Sequence, residues 1–169
     1  MARGRRCRGL IIGFIRRNLV SEKPYLCMKN LLKIPKPIIF EALPKDISGI
    51  MAVQKATWLA TYVNAEYDIT VRDIKVINFV SAERHKRWEG TLQKKKILRV
   101  WVAKNKVNKI VGFCVARKAK LSNILGAIYV LPRYQGKGIG QKLADVAFEW
   151  LGEKKSIIVD VVKYNATAI

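Results

Sequence analysis

The chain has 169 residues, half of them hydrophobic, and 33 Lys plus Arg against 12 Asp plus Glu, a formal net charge of +21. That length implies one domain of ordinary size, and the apolar fraction excludes a disordered chain. The charge implies an anionic partner of some kind: nucleic acid, a phosphorylated co-substrate or an anionic surface.

Residues 1–37 carry 10 basic side chains and one acid, Glu22, net +9, whereas residues 38–169 carry 23 and 11, net +12. The first 37 residues therefore read as a basic, poorly ordered extension, closed by Pro35-Lys36-Pro37, because proline neither donates to a sheet ladder nor continues a helix. The apolar run Leu10–Ile15 has six residues, well short of the roughly 20 that a spanning helix needs, and Arg16-Arg17 ends it without a small-residue cleavage site. No membrane association is expected. Cys7, Cys27 and Cys114 are too few and too scattered for a disulfide framework, and with His85 as the single histidine no metal site is expected. A reducing, cytoplasmic compartment fits these cysteines, with Cys114 read as a small buried hydrophobe.

From residue 38 the elements follow in order. Ile38–Ala42 reads as a short strand, and Asp46 as the N-cap of a helix to about Tyr62 that carries Ile47, Met51, Trp58 and Tyr62 on one face. A second helix is predicted over Thr70–Val80, followed by a basic, polar stretch, Glu83–Lys96. Ile97–Ala103 and Ile110–Ala116, joined by a polar, turn-rich connection, predict an antiparallel hairpin. A strand over Ile124–Val130 is stopped by Pro132. A glycine-rich loop then leads into a helix of about 14 residues from Gly138, with an apolar stripe of Ile139, Leu143, Val146 and Trp150 and Gly152 as its C-cap. Ile157–Val162 reads as a last strand covered on both faces. The right-handed crossover through that helix makes the strands near 124–130 and 157–162 parallel neighbours in an otherwise antiparallel sheet.

The loop Gln135-Gly136-Lys137-Gly138-Ile139-Gly140 between strand and helix is the most informative feature. Glycines let backbone approach a ligand without Cβ interference, and the first amides of a helix are free donors at the positive end of its dipole. Lys137 and Lys142 add positive charge, so the loop predicts a phosphate or pyrophosphate cradle. Its spacing, G-x-G-x-G at 136, 138 and 140, matches neither a nucleotide P-loop nor the dinucleotide fingerprint G-x-G-x-x-G.

Gln135, Gly138 and Gly140 do fill the pattern Q/R-x-x-G-x-G/A, and with the order of elements from residue 38 onward the chain resembles the GNAT N-acetyltransferase superfamily over about residues 38–169. The resemblance implies an α/β fold, a mixed central sheet flanked by helices. It implies transfer of an acetyl group from acetyl-CoA to an amine-bearing acceptor, by direct attack and without a metal. By position, the amides of Gln135, Gly136, Lys137, Gly138, Ile139, Gly140 and Gln141 would hold the CoA pyrophosphate. Main-chain groups near Tyr129 and Val130 would pair with the pantetheine arm, and Asn165, in Tyr164–Ile169, would lie against the thiol end. Relatives continue beyond the fifth strand with a helix and two strands and carry a thiolate-protonating tyrosine. The sequence stops at Ile169 without a match for it, so a C-terminally incomplete domain and slow transfer are expected.

No catalytic base emerges. The strand at 124–130 holds no carboxylate, Asp68, Glu83 and Glu89 read as solvated, and His85 among basic neighbours reads as surface. Trp58 and Tyr62 could line an acceptor pocket, although their spacing places them in the core, as it does Trp101 and Trp150. The competing readings are a basic nucleic-acid-binding protein, for which no module pattern or regular aromatic interleaving exists, and a CoA-binding remnant without activity. A homodimer is compatible with the sequence.

Overall fold

In the computed structural model, residues 37–162 and 164–165 are described; the basic extension proposed for 1–37 lies outside them apart from Pro37. Five strands form one sheet in the order β1 (Ile38–Glu41), β2 (Leu98–Lys104), β3 (Ile110–Arg117), β4 (Asn123–Val130), β5 (Ile157–Val159). The first four pair antiparallel and β4 pairs with β5 parallel, as the hairpin and crossover arguments require.

The alternation of the central strands builds two cores. Val100, Val102 and Phe113 point to one face, where α1 (Ile47–Thr61) supplies Ile47, Ile50 and Val53 and α3 (Ala82–Gln93) supplies Leu92. Trp101, Ala103, Val111, Cys114 and Leu125 point to the other, against Ile139, Leu143, Ala147 and Leu151 of α4 (Ile139–Leu151). Burying each such aliphatic side chain stabilises by about 1.5–3 kcal/mol, so both faces of β2 and β3 must stay covered. Among the described residues, no helix is long and apolar enough to cross a membrane.

Four details depart from the sequence reading. Asp46 precedes α1 but caps none of its amides; its buried carboxylate accepts from Leu43 N–H (3.0 Å) and pairs with the buried Lys104 ammonium at 2.6 Å, tying the start of α1 to the end of β2. The second helix, α2 (Val71–Val76), is short, because the chain turns extended at Ile77 and Asn78 folds its side chain onto Val80 N–H. The polar stretch is itself helical: Ser81 caps Arg84 N–H, the pairs Glu83–Arg87 and Glu89–His85 line its outer face, and Trp88 and Leu92 face inward. β5 is three residues long, and Ile158 is 47% exposed, because α4 covers one face of that strand while the described residues leave the other open.

Candidate cofactor and acceptor site

Pro132 ends β4, and Pro132–Tyr134 coil into a single 3-10 turn closed by Tyr134 N–H to the Leu131 carbonyl (2.8 Å). Tyr134 anchors the loop: its ring is buried, its hydroxyl accepts from the Asn105 side chain (3.2 Å), and Arg133 and Lys137 lie over it at 5.0 and 5.4 Å. The Lys137 ammonium also donates to the Arg133 carbonyl (2.8 Å), bracing the loop from within.

Gly136 (φ 69°) and Gly138 (φ 75°) hold left-handed backbone, which costs an L-residue with a Cβ about 1–2 kcal/mol. Gly138 is the N-cap of α4 and has no side chain to offer its amides; the first helical bond runs from Lys142 N–H to the Gly138 carbonyl (3.1 Å). The N–H groups of Ile139, Gly140 and Gln141 therefore precede the ladder and carry the positive end of the dipole. A Cβ added at Gly136 or Gly138 would meet no atom within 4 Å, so the backbone of the loop borders open space there. Gly140 differs: a Cβ there would make ordinary contact with Ile128 and Val130. Gln135 also differs, since its own N–H is bonded to the Pro132 carbonyl (3.1 Å) and its side chain donates to the Val130 carbonyl (2.9 Å). The unspent amides begin at Gly136.

β4 and β5 pair over three residues, Asn123 with Ile157 through Leu125 with Val159. Beyond Leu125, β4 runs on to Val130 with its β5-side edge unpaired among the described residues, ending beside the α4 N-terminus. Leu131 N–H is bonded to the Val111 carbonyl (2.9 Å), so the two-residue alternation turns the main-chain groups of Tyr129 toward β3 and those of Ile128 and Val130 toward the open side. Tyr129 thus meets this region with its side chain rather than its backbone. Its hydroxyl lies 3.1 Å from that of Tyr62, at the end of α1, and its ring packs on Phe113. Burial, then the hydrogen bond with Tyr129, then the charges of Tyr129 and Tyr164 push the Tyr62 hydroxyl far above its ordinary 10.0. Trp58 and Phe79 back the pair, with the Trp58 Nε1 buried and unbonded. Tyr164 packs on Tyr67 at 4.9 Å, and Asn165, half-buried, donates its N–H to the Val162 carbonyl (2.9 Å). Sequence spacing placed Tyr62 in the core; only its partner 67 residues away reveals the hydroxyl pair.

Residues 96–169 match a family model described as acetyltransferase (GNAT) domain. The PaiA N-acetyltransferase of Thermoplasma acidophilum, solved in complex with coenzyme A, is similar at 16% identity over 76% of this chain and 81% of that one, with a TM-score of 0.65. A GCN5-related N-acetyltransferase from Rhodopseudomonas palustris is similar at 19% identity over 80% and 78%, with a TM-score of 0.55. AAC(6')-Iy, bound to the bisubstrate analogue CoA-S-monomethyl-acetylneamine, is similar at 16% over 76% and 81%, with a TM-score of 0.54. No curated protein matches the sequence. At such identities the structural likeness speaks for the fold, which is GNAT-like, and the resemblance read from the loop is borne out by the family model over residues 96–169.

Proposed function

With the GNAT superfamily recognised in the fold and in residues 96–169, we propose that this chain is an N-acetyltransferase moving an acetyl group from acetyl-CoA to an amine by direct attack. The observation that carries this reading is the unpaired edge of β4 beyond Leu125, converging on the free amides of α4. The amides of Gly136 through Gln141 suit the pyrophosphate, and Lys137 contributes as a nearby charge. The outward N–H groups of Ile128 and Val130 suit the amides of a pantetheine arm laid along the edge as an added strand. The Val130 carbonyl is free to accept from it only when the Gln135 side chain releases it. Asn165 is assigned to the thiol end from the resemblance.

Acetyl-CoA supplies an activated thioester: the neutral amine adds to its carbonyl carbon, the C–S bond breaks, the thiolate gains a proton and the new amide loses one. The Tyr62–Tyr129 hydroxyl pair, on the α1 side of the same edge, is assigned the donor role toward the charge that develops there. Tyr62 keeps its proton at neutral pH because its surroundings disfavour the phenolate. The cytoplasm is assigned as the compartment from the sparse cysteines. Residues 1–37 are assigned as dispensable, so their deletion leaves coenzyme A binding intact.

Free thiol release from acetyl-CoA with a panel of primary amines and peptide N-termini tests the reading. Turnover is expected, with Tyr62→Phe lowering kcat by about 10²-fold or less. Coenzyme A binding with no thiol release on any amine would instead mark a binding remnant.

A further inference from the structure

On the same face of the sheet as the tyrosine pair lies a second concavity, about 280 Å³, between α1, α3 and the strands beneath. Its apolar floor is Trp88, Leu98 and Val115, and its polar wall is Gln54, Arg84 and Arg87. None of the residues lining it is acidic. Glu83 pairs with Arg87 from the exposed side of α3, one carboxylate against a guanidinium with five N–H donors. Arg84 lies with its guanidinium 5.0 Å from the Phe79 ring centroid, a cation–π contact that takes up none of its N–H donors in a conventional hydrogen bond. Among the described residues, neither Arg84 nor Gln54 has a side-chain hydrogen-bond partner.

Register connects this cavity to the acyl site. Val115 faces Ala127 across the ladder, and Tyr129 is two residues further along β4, about 7 Å at the rise of a strand. The buried Phe113 ring packs between those of Trp88 and Tyr129, with centroid spacings of 5.7 and 5.4 Å.

We propose that this cavity holds the anionic end of the acceptor, so that the substrate is an amine carrying a carboxylate or phosphate, with an apolar spacer lying on Trp88 and Leu98. That the anion belongs to an acceptor amine rests on the acetyl-transfer reading; the anion-binding claim does not. The net charge of +12 over residues 38–169 acts in the same direction, attracting such an acceptor and repelling a polycationic one.

Three matched six-carbon amines test it with the full chain: 6-aminohexanoate, 6-aminohexyl phosphate and 1,6-diaminohexane. Binding is read by calorimetry with and without coenzyme A, and turnover by thiol release. Both anionic amines are expected to exceed the diamine by at least about tenfold in kcat/KM, and the better of the two identifies the anion. Arg84→Gln should cut that preference about tenfold, the more exposed Arg87→Gln about threefold, and Gln54→Glu should abolish it. Equal use of the diamine, or a preference unchanged in both Arg87→Gln and Gln54→Glu, overturns the proposal. If 6-aminohexanoate binds in an arginine-dependent way but no amine turns over, the anion cavity stands and the transferase reading falls. If neither anionic amine binds, the cavity assignment falls whatever the turnover.

Discussion

The two halves of β4 share one strand and one kind of sequence, yet they do opposite things. At Ile124–Leu125 the strand is paired on both edges, and the Asn123 side chain donates to the Leu151 carbonyl (3.1 Å), satisfying the end of α4 from inside the core. Ser122 and Ser156 join their hydroxyls alongside at 2.9 Å. At Ala127–Val130, past a bulge at Gly126, the β3 edge is paired, and among the described residues the β5 edge is not. The first half holds β5 and α4 to the sheet; the second offers hydrogen-bonding groups to a ligand. Three residues of pairing, not a change in composition, separate structure from site.

If the halves are independent, a variant in one should leave the property of the other alone. The largest effect is expected at Gly138→Val. A β-branched side chain cannot adopt φ 75° cheaply, and its bulk would enter the open space before the amides. Coenzyme A affinity should fall at least 100-fold by calorimetry, with a stability loss of about 1–2 kcal/mol. Unchanged affinity would remove the loop from the site.

Asn123→Ala should do the reverse. It strands the buried Leu151 carbonyl at a cost of about 1–3 kcal/mol, visible as a lower urea midpoint, while coenzyme A affinity stays within about twofold. A lost affinity with unchanged stability would show that the halves are coupled.

Alkaline titration sharpens the contrast between buried and open groups. Burial pushes the Cys114 thiol from 9.0 up to about 12 and raises Tyr62 well above 10.0. Unfolded chain then loses these protons at lower pH than the native state, so stability is full below about pH 9 and declines as pH rises past 9 and 10. Urea midpoints between pH 7 and 11 should show that decline, and Tyr62→Phe should flatten its upper part. The smallest effect is expected at Lys137→Ala, a loss of about threefold or less in coenzyme A affinity that shrinks further in high salt. A larger loss would move the weight of the cradle from backbone amides to that side chain.

Legibility in the sequence followed the range of the forces. The helix at Ala82–Gln93 escaped notice because its inward face is little more than Trp88 and Leu92, four residues apart, in a run otherwise polar, although Ser81 was a readable cap. Thr70 and Asp73 form a capping box that starts α2 where expected, but the Asn78 turn that ends it early depends on the chain beyond. Asp46 looked like a cap because caps are local; its partner, Lys104, is 58 positions away.

The sequence by itself determined the hairpin, the parallel return through α4 and the glycine loop. These rest on alternation, proline stops, crossover handedness and backbone freedom, all set within a few residues. Tertiary structure alone decided how far β5 follows β4, that Gln135 spends its amide on its own turn, and that Tyr62 meets Tyr129. It also decided that Gln54, Arg84 and Arg87 share one cavity. Each of those depends on distances between elements that are set by how side chains fill the two cores, and no local pattern carries that information.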